Sequence, residues 1–436
     1  MRPFKITEVR DAIHGSVGLY PWELAVVDSR AFQRLRNIKQ LGFSEFAYPC
    51  AVHNRYVHSL GACHLAGRVF QSVFREHFFS SVEVYHRFLY LIRVTALLHD
   101  VGHGPFSHAV ESAMPEVAEL GLSEEIAGKK KKRQATHEDY TLKIVLDSSL
   151  TPVLEKGLRD FGITPRHVAC VMSPTIAEKD GLFVDNGVNW RRILHQIVSS
   201  EIDVDRMDYL QRDSYFTGVS YGKFDFNWLL SNVGFHVVDK EAHLALSDRA
   251  IYTFEDFLLS RYHMFLMVYL HHKSVGYEET MNRYIRECSF RVPAEVEKYL
   301  DLDDAVFYEH LRRDRKNEWA RRILERRIYK LALEVSTSDA GDPAVDARVK
   351  TLVDRCRRGG VDHFLVPSSG ALSKYIRPNL GAALSGESTI YVAANDRMNE
   401  VRHVPLERYT DLFSKYTEAR KIVRVYVPED FSGGRE

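Results

Sequence analysis

The chain has 436 residues, enough for a large core and, at ordinary domain sizes, for two or three domains or one enlarged domain with an appendage. Hydrophobic residues are 45% and charged residues 27%, ordinary globular usage, and Lys+Arg and Asp+Glu balance at 59 each, which argues against a general electrostatic attraction to nucleic acid or membrane. The five cysteines (Cys50, Cys63, Cys170, Cys288, Cys356) are scattered with no CxxC pair, so a reducing compartment fits better than a disulfide framework or a zinc knuckle.

The start, "MRPFKITEVRDAIHG", lacks the apolar run of a signal peptide, and no stretch reaches the roughly 18 to 20 apolar residues of a membrane span, so a cytoplasmic protein is expected. Glycines between short apolar groups in "IHGSVGLYPWELAVVDS" predict a small hairpin or turn leading into a helix. Phe32, Leu35, Ile38 and Leu41 recur at helical spacing, with Ser29 as N-cap and Gly42 as stop. The helical period returns in residues 58–74, 84–100, 190–216 and 252–285, with minor β pieces around "FHVVDKEAHLAL". In "GLSEEIAGKKKKRQATHEDY" the basic run from Lys129 to Arg133 reads as a solvated loop or, functionally, as a contact to phosphate or nucleic acid. Beyond that, residues 303–335 read as strongly charged helix and "STSDAGDPAVD" as a turn-rich break. "STIYVAAN", "LERYTDLFSKY" and "KIVRVYVPED" then read as strand, helix and strand. The expected fold is mainly α, a helical bundle over 1–290 with a smaller α+β region over 291–436.

Three separated pieces carry metal-ligand chemistry. "HNRYVHSLG" supplies His58, "LLHDVGHGPFSH" supplies His99 and Asp100, and "EIDVDRMDYLQRD" supplies Asp205. Two imidazoles and two carboxylates make a mixed N/O set suited to Mn²⁺, Fe²⁺, Zn²⁺ or Mg²⁺, with positions left for water and substrate. An adjacent His-Asp pair behind "TALL" is costly to bury without a partner. In the third piece, Asp205, Tyr209 and Asp213 are spaced i, i+4, i+8 and share one helix face, whereas Asp208 and Arg212 read as a solvated ion-pair face.

"HDVGHGPFSH" resembles the signature of the HD superfamily of metal-dependent phosphohydrolases. With "FQRLRNIKQLG", "YPCAVHNRYVHSLG", "ATHEDYT" and "IDVDRMDYLQRDSYFTG", the resemblance narrows to the deoxynucleoside-triphosphate triphosphohydrolases and runs in order from about residue 5 to about residue 290. It implies a helical HD fold in which His58, His99, Asp100 and Asp205 hold a divalent metal ion. His103, His108 and His137 would line the triphosphate and the reacting phosphorus, with Glu111, where a close relative has aspartate, supporting His108. Arg55, Arg206 and Tyr209 would hold phosphates. Arg206 stands where a close relative has lysine, a planar fork in place of a compact ammonium. Gln40 and Asp213 would contact the sugar 3′-hydroxyl, and Leu41 and Tyr209 would wall off the 2′ carbon.

The implied reaction is water attack at the α-phosphorus, giving deoxynucleoside and tripolyphosphate, with His108 as proton donor and His137 as a second acid/base or phosphate ligand. Asp28, Gln33 and Arg36 match positions that read a regulatory guanine nucleotide between subunits in nucleotide-activated members. GTP or a dNTP as effector and a homodimer or homotetramer are therefore expected; the plain alternative is a helix start with a polar face. Other readings of the same ligand set are an HD phosphohydrolase for a monophosphate, cyclic nucleotide or alarmone, and a nucleic-acid-binding HD protein.

Overall fold

An antiparallel hairpin, β1 (Thr7–Asp11) and β2 (Gly15–Leu19), begins the chain. Its turn is closed by the Asp11 carboxylate, which accepts from the Ile13 and His14 amides at 2.9 and 2.8 Å, and Gly15 supplies the left-handed backbone (φ 74°). A short helix over Pro21–Val27 follows, as the glycine spacing suggests. The computed structural model describes residues 5–128, 132–288, 290–338, 342–370, 372, 389–395, 400–416 and 420–431. Lys129, Lys130 and Lys131 of the basic run lie outside them; Arg133 is engaged by Asp139 at 2.6 Å.

Ser29 caps the next helix through its Oγ, which accepts from the Phe32 amide at 3.3 Å. That helix does not run to Gly42. It is α-helical only over Arg30–Gln33, tightens to a 3₁₀ turn over Arg34–Asn37, and becomes extended at Ile38. Tertiary hydrogen bonds override the helical period here: Arg55 N donates to Ile38 O and Gln40 N to His53 O, both at 3.0 Å.

The centre of the bundle is α1 (Arg55–Val73), capped by Asn54, and α2 (Val82–Leu98), capped by Ser81. Both are buried around most of their circumference, which is why their apolar residues are not confined to one stripe. Beyond α3 (His137–Leu146), residues 190–216 form two helices, α4 (Arg191–Val198) and α5 (Val204–Thr217). They part where Asp203 accepts from the Ser200 and Arg206 amides at 2.9 and 2.8 Å. The strands β3 (Val233–Val238) and β4 (Glu241–Ser247) form the expected hairpin. Next, α6 (Ile251–Met264) passes through one π turn into α7 (His272–Cys288).

The charged stretch after residue 303 is helical only in α8 (Asp304–Arg313) and in Glu318–Leu324. Lys330–Ser338 is a strand, β5, because Leu331, Leu333 and Val335 alternate rather than recur at helical spacing. The expected break then contains the start of a helix, α9 (Pro343–Arg358), which Asp342 caps with Pro343 at the first position. The remaining strands are β6 (Phe364–Gly370), β7 (Tyr391–Asn395), β8 (Val401–Pro405) and β9 (Arg420–Val427), with only two short helical turns inside residues 406–416. β9 lies between β5 and β6 in an antiparallel sheet, on which α9 packs Val353 and Cys356. β7 pairs parallel with β4, joining the C-terminal strands to the helical part. The fold is thus mainly α, with a smaller α+β region toward the C-terminus. No helix among the described residues is long and apolar enough to cross a membrane.

α1 and α5 touch at Gly61, where a Cβ would overlap the Asp208 carboxylate and the Arg212 guanidinium. Gly61→Ala is expected to destabilise the protein by roughly 1–3 kcal/mol, read as a lowered denaturant midpoint at unchanged slope.

Candidate active site

Helix ends bring the four proposed metal ligands together. His58 lies in the first turn of α1, His99 caps the C-terminus of α2 with Asp100 next to it, and Asp205 lies in the first turn of α5. His58 Nε2 is 3.2 Å from His99 Nε2 and 3.0 Å from Asp205 Oδ1. His99 Nε2 is 3.4 Å from Asp205 Oδ1, and Asp100 reaches His58 and His99 at 3.5 Å each.

The outer nitrogens of both imidazoles are already committed. His58 Nδ1–H donates to Asp208 Oδ2 at 2.8 Å, and His99 Nδ1–H donates to Ala96 O at 2.7 Å. Both Nε2 atoms, when neutral, therefore turn lone pairs toward each other and toward carboxylate oxygens. Acceptors converging with no donor among them are what a cation satisfies, and the Asp208–His58 pair is the outer partner that orients a ligating histidine. The donor set fits a divalent ion.

Without a cation, protons take its place. Burial works to lower the His58 imidazole, but hydrogen bonds to Asp205 and Asp208 and the charges of Asp208 and Asp100 carry it up to about 10. Asp205, which burial alone would raise, is held well below the usual carboxylate range by His58 and His99.

Asp208 and Arg212 are not a solvated face. Both are buried, and Asp208 also accepts from His14 Nε2 at 2.6 Å and from Arg212 at 2.7 and 2.9 Å, while Arg212 reaches Asp11 at 2.8 Å. The i, i+4 charge pair reads as surface in sequence; only the packing of the hairpin and α1 over it makes it interior.

The remaining histidines come from the loop after Asp100 and from α3. His103 stacks on His137 with ring centroids 3.8 Å apart, and His108 stands edge-on to both at 5.0 and 5.2 Å. One Glu111 oxygen accepts from His108 Nδ1 at 3.0 Å and from His137 Nδ1 at 2.7 Å, so glutamate spans both imidazoles. Burial would raise that carboxyl, but the two histidines bring it down to about 2. Burial, Arg55 and His137 hold His103 well below the usual imidazole range, leaving it neutral. One ring nitrogen from each of the trio lies within 4.8 Å of the other two, and the three could also hold an ion. Asp100 links the two clusters, its Oδ1 being 3.5 Å from His99 and 3.3 Å from His103. Gly102 permits the close approach: a Cβ there would overlap the His137 carbonyl and the Thr141 amide.

Both arginines are engaged. Arg55 pairs with Asp100 and donates to Ser107 Oγ at 2.9 Å, and Arg206 pairs with Asp203 at 2.6 Å. Asp213 accepts from His53 Nε2 at 2.7 Å and from the Tyr269 hydroxyl at 2.8 Å, and Tyr269 stands edge-on to Tyr209 at 6.1 Å. Sequence reasoning missed His53 and Tyr269; the His53 position two residues before Arg55 was the available signal. Gln40 is buried beside half-buried Leu41, and its Oε1 has no partner among the described residues, as is true of His53 Nδ1 and His103 Nδ1. Such orphaned buried atoms in one region mark where a polar ligand would be satisfied. Elsewhere, Gln33 accepts from Arg36 at 2.7 Å, the Arg36 guanidinium lies 3.6 Å over the Tyr56 ring, and Asp28 is exposed at the end of its helix.

Two consequences follow from the His58 proton. In the metal-free protein a raised imidazole contributes stability that is complete below pH 6.5 and is lost as pH rises toward 10. The melting temperature of the chelated protein should fall across that window while that of the metal-loaded protein holds. Metal uptake near neutral pH should release protons, seen as a calorimetric heat that changes with the ionisation enthalpy of the buffer.

Residues 55–213 match the HD domain and residues 224–357 the HD associated region. An uncharacterised Bacillus subtilis protein, YwfO, is 35% identical over 254 residues, 57% of this chain and 48% of that one. Human deoxynucleoside triphosphate triphosphohydrolase SAMHD1 is 28% identical over 358 residues, 74% of this chain and 53% of that one. The chain thus spans about half the length of these relatives. A hypothetical protein from Aquifex aeolicus of solved structure superposes with a TM-score of 0.71 over 97% of both chains at 24% identity, a likeness of fold. The chain thus matches an HD domain followed by an HD associated region, and it resembles the deoxynucleoside triphosphate triphosphohydrolases.

Proposed function

We propose that the protein hydrolyses deoxynucleoside triphosphates to deoxynucleoside and tripolyphosphate. The observation that carries this reading is the continuity of the two clusters: the His58–His99–Asp205 donor set adjoins the His103–His108–His137 trio through the single carboxylate Asp100. A reactive phosphorus at that junction would lie within reach of both. The resemblance to the human and Dictyostelium discoideum enzymes named as triphosphohydrolases supports a deoxynucleotide over another phosphoester.

His58, His99, Asp100 and Asp205 would hold a divalent ion, which supplies Lewis-acid polarisation of the phosphoryl oxygens and lowers the pKa of water. Arg55, Arg206 and Tyr209 would hold the triphosphate, the arginines exchanging Asp100 and Asp203 for phosphate oxygens. Gln40 and Asp213 would orient the sugar, with Leu41 and Tyr209 against its 2′ carbon. The water oxygen would bond to the α-phosphorus and release a proton to solvent, the bond from phosphorus to the 5′-oxygen would break, and the leaving oxygen would take a proton from His108, which solvent then reprotonates. Glu111, ionised and accepting from His108 Nδ1, orients the ring and leaves Nε2 as the nitrogen that would donate. His137, on the same carboxylate, and neutral His103 would line the phosphate path. A second nucleotide at Asp28, Gln33 and Arg36, in an assembly of subunits, would make turnover depend on an effector.

The test is incubation with Mn²⁺ or Mg²⁺ and each dNTP, alone and mixed, with products separated by mass. Deoxynucleoside and tripolyphosphate are expected, absent in Asp205→Ala and slowed roughly 10²- to 10⁴-fold in His108→Ala. Orthophosphate or pyrophosphate as product would replace this reading with another phosphohydrolase, and turnover only in mixtures would support the effector.

A further inference from the structure

The loop carrying His103 and His108 has an unfavourable backbone. Phe106 and Ser107 are successive non-glycine residues in the left-handed region, at φ 53° and 60°, a conformation that persists only where the surroundings enforce it. Arg55 and the Lys39 carbonyl hold Ser107 through its Oγ, at 2.9 and 2.8 Å, and the rest of the enforcement comes from residues 299–308, beyond the HD domain match. The Tyr299 hydroxyl donates to Gly102 O at 2.6 Å, and Asp304 Oδ1 accepts from the Phe106 amide at 2.7 Å. The Phe106 ring stacks on Phe43 at 4.6 Å and meets Phe307 and Tyr308 of α8 edge-on. Arg34 bridges the two segments: it donates to Leu302 O at 2.6 Å, to Val101 O at 3.2 Å and to His103 O, and its guanidinium covers the Tyr299 ring.

Asp304 does more than hold one loop. Its second oxygen accepts from the Lys39 amide at 3.0 Å, immediately before Gln40. One buried carboxylate therefore ties the proposed sugar-binding loop directly to the proposed catalytic loop.

We propose that Asp304 and Tyr299 are positioning residues: they set the place of His103 and His108 against Gln40, giving the segment after the HD domain a part in catalysis. The inference rests on the proposed reaction only for what is catalysed; the clamp itself is independent of it. Burial raises the Asp304 carboxyl to about 6, against the pull of the Phe106 and Lys39 amides, a cost retained where an apolar residue would fill the space more cheaply.

Asp304→Asn and Tyr299→Phe in the full chain test this through hydrogen exchange, metal affinity and kinetics. In Asp304→Asn one amide must face the new NH₂, so exchange at Lys39 or Phe106 should accelerate roughly ten-fold or more. Turnover should fall about 10- to 100-fold in kcat, and Mn²⁺ affinity should stay within about twofold because its ligands hang on other elements. Tyr299→Phe, which keeps the ring stacked on Tyr140, should act in the same direction more weakly and carries the test if the first variant does not fold. Unchanged exchange at both amides, or faster exchange with kcat intact, would overturn the proposal. Faster exchange in a protein whose wild type cleaves no dNTP would uphold the clamp and remove the proposed reaction.

Discussion

The structure depends on a carboxylate from which water is excluded. Asp208 is fully buried and takes four hydrogen bonds, one each from His14 and His58 and two from Arg212. Breaking one side of such a set leaves an uncompensated charge, which costs far more than the set contributes. The requirement couples three parts of the chain that are remote in sequence. The hairpin must dock to deliver His14 and Asp11, α1 must carry glycine at position 61 to let α5 approach, and α5 must keep Asp208 and Arg212 one turn apart. His58 takes its ring orientation from this arrangement, so the proposed metal centre would be aimed by groups that never reach it.

The two halves of the site are built differently. The proposed metal ligands sit on helix ends whose packing fixes them, whereas His103 and His108 ride on a loop that needs outside support. Glu111 makes a unit of the second half by giving one oxygen to two imidazoles. Rigid ligands beside braced catalytic groups, if the proposed roles hold, would let the loop be placed without disturbing the metal geometry.

What could be read from the sequence was what is local. His99-Asp100 behind an apolar helix, the i, i+4, i+8 face of α5 and the Ser29 cap each depend on neighbours within a few residues, and each stands where expected. Asp208 and Arg212 were misread because the same local pattern serves an exposed or a buried helix face, and the covering elements lie some 150 to 200 residues away. The helix expected through Gly42 stopped at Ile38 for a similar reason: its carbonyl is claimed by Arg55. Tyr299 and Asp304 carry no signature, since a tyrosine and an acid at a helix start are ordinary in any sequence. The left-handed pair at Phe106 and Ser107 is equally silent, because both residues are atypical of that backbone.

Arg55 and Arg206 are held by Asp100 and Asp203 within the protein itself. A polyanion entering by the proposed route would exchange one set of carboxylates for its own oxygens instead of meeting bare positive charge, so the attraction at a distance would be small and selection would fall to contact geometry. The same carboxylates stand ready to reclaim the guanidinium groups as the anion departs. A pocket lined by unpaired cations would hold its most highly charged product longest; self-neutralisation offers that product a competitor built into the wall.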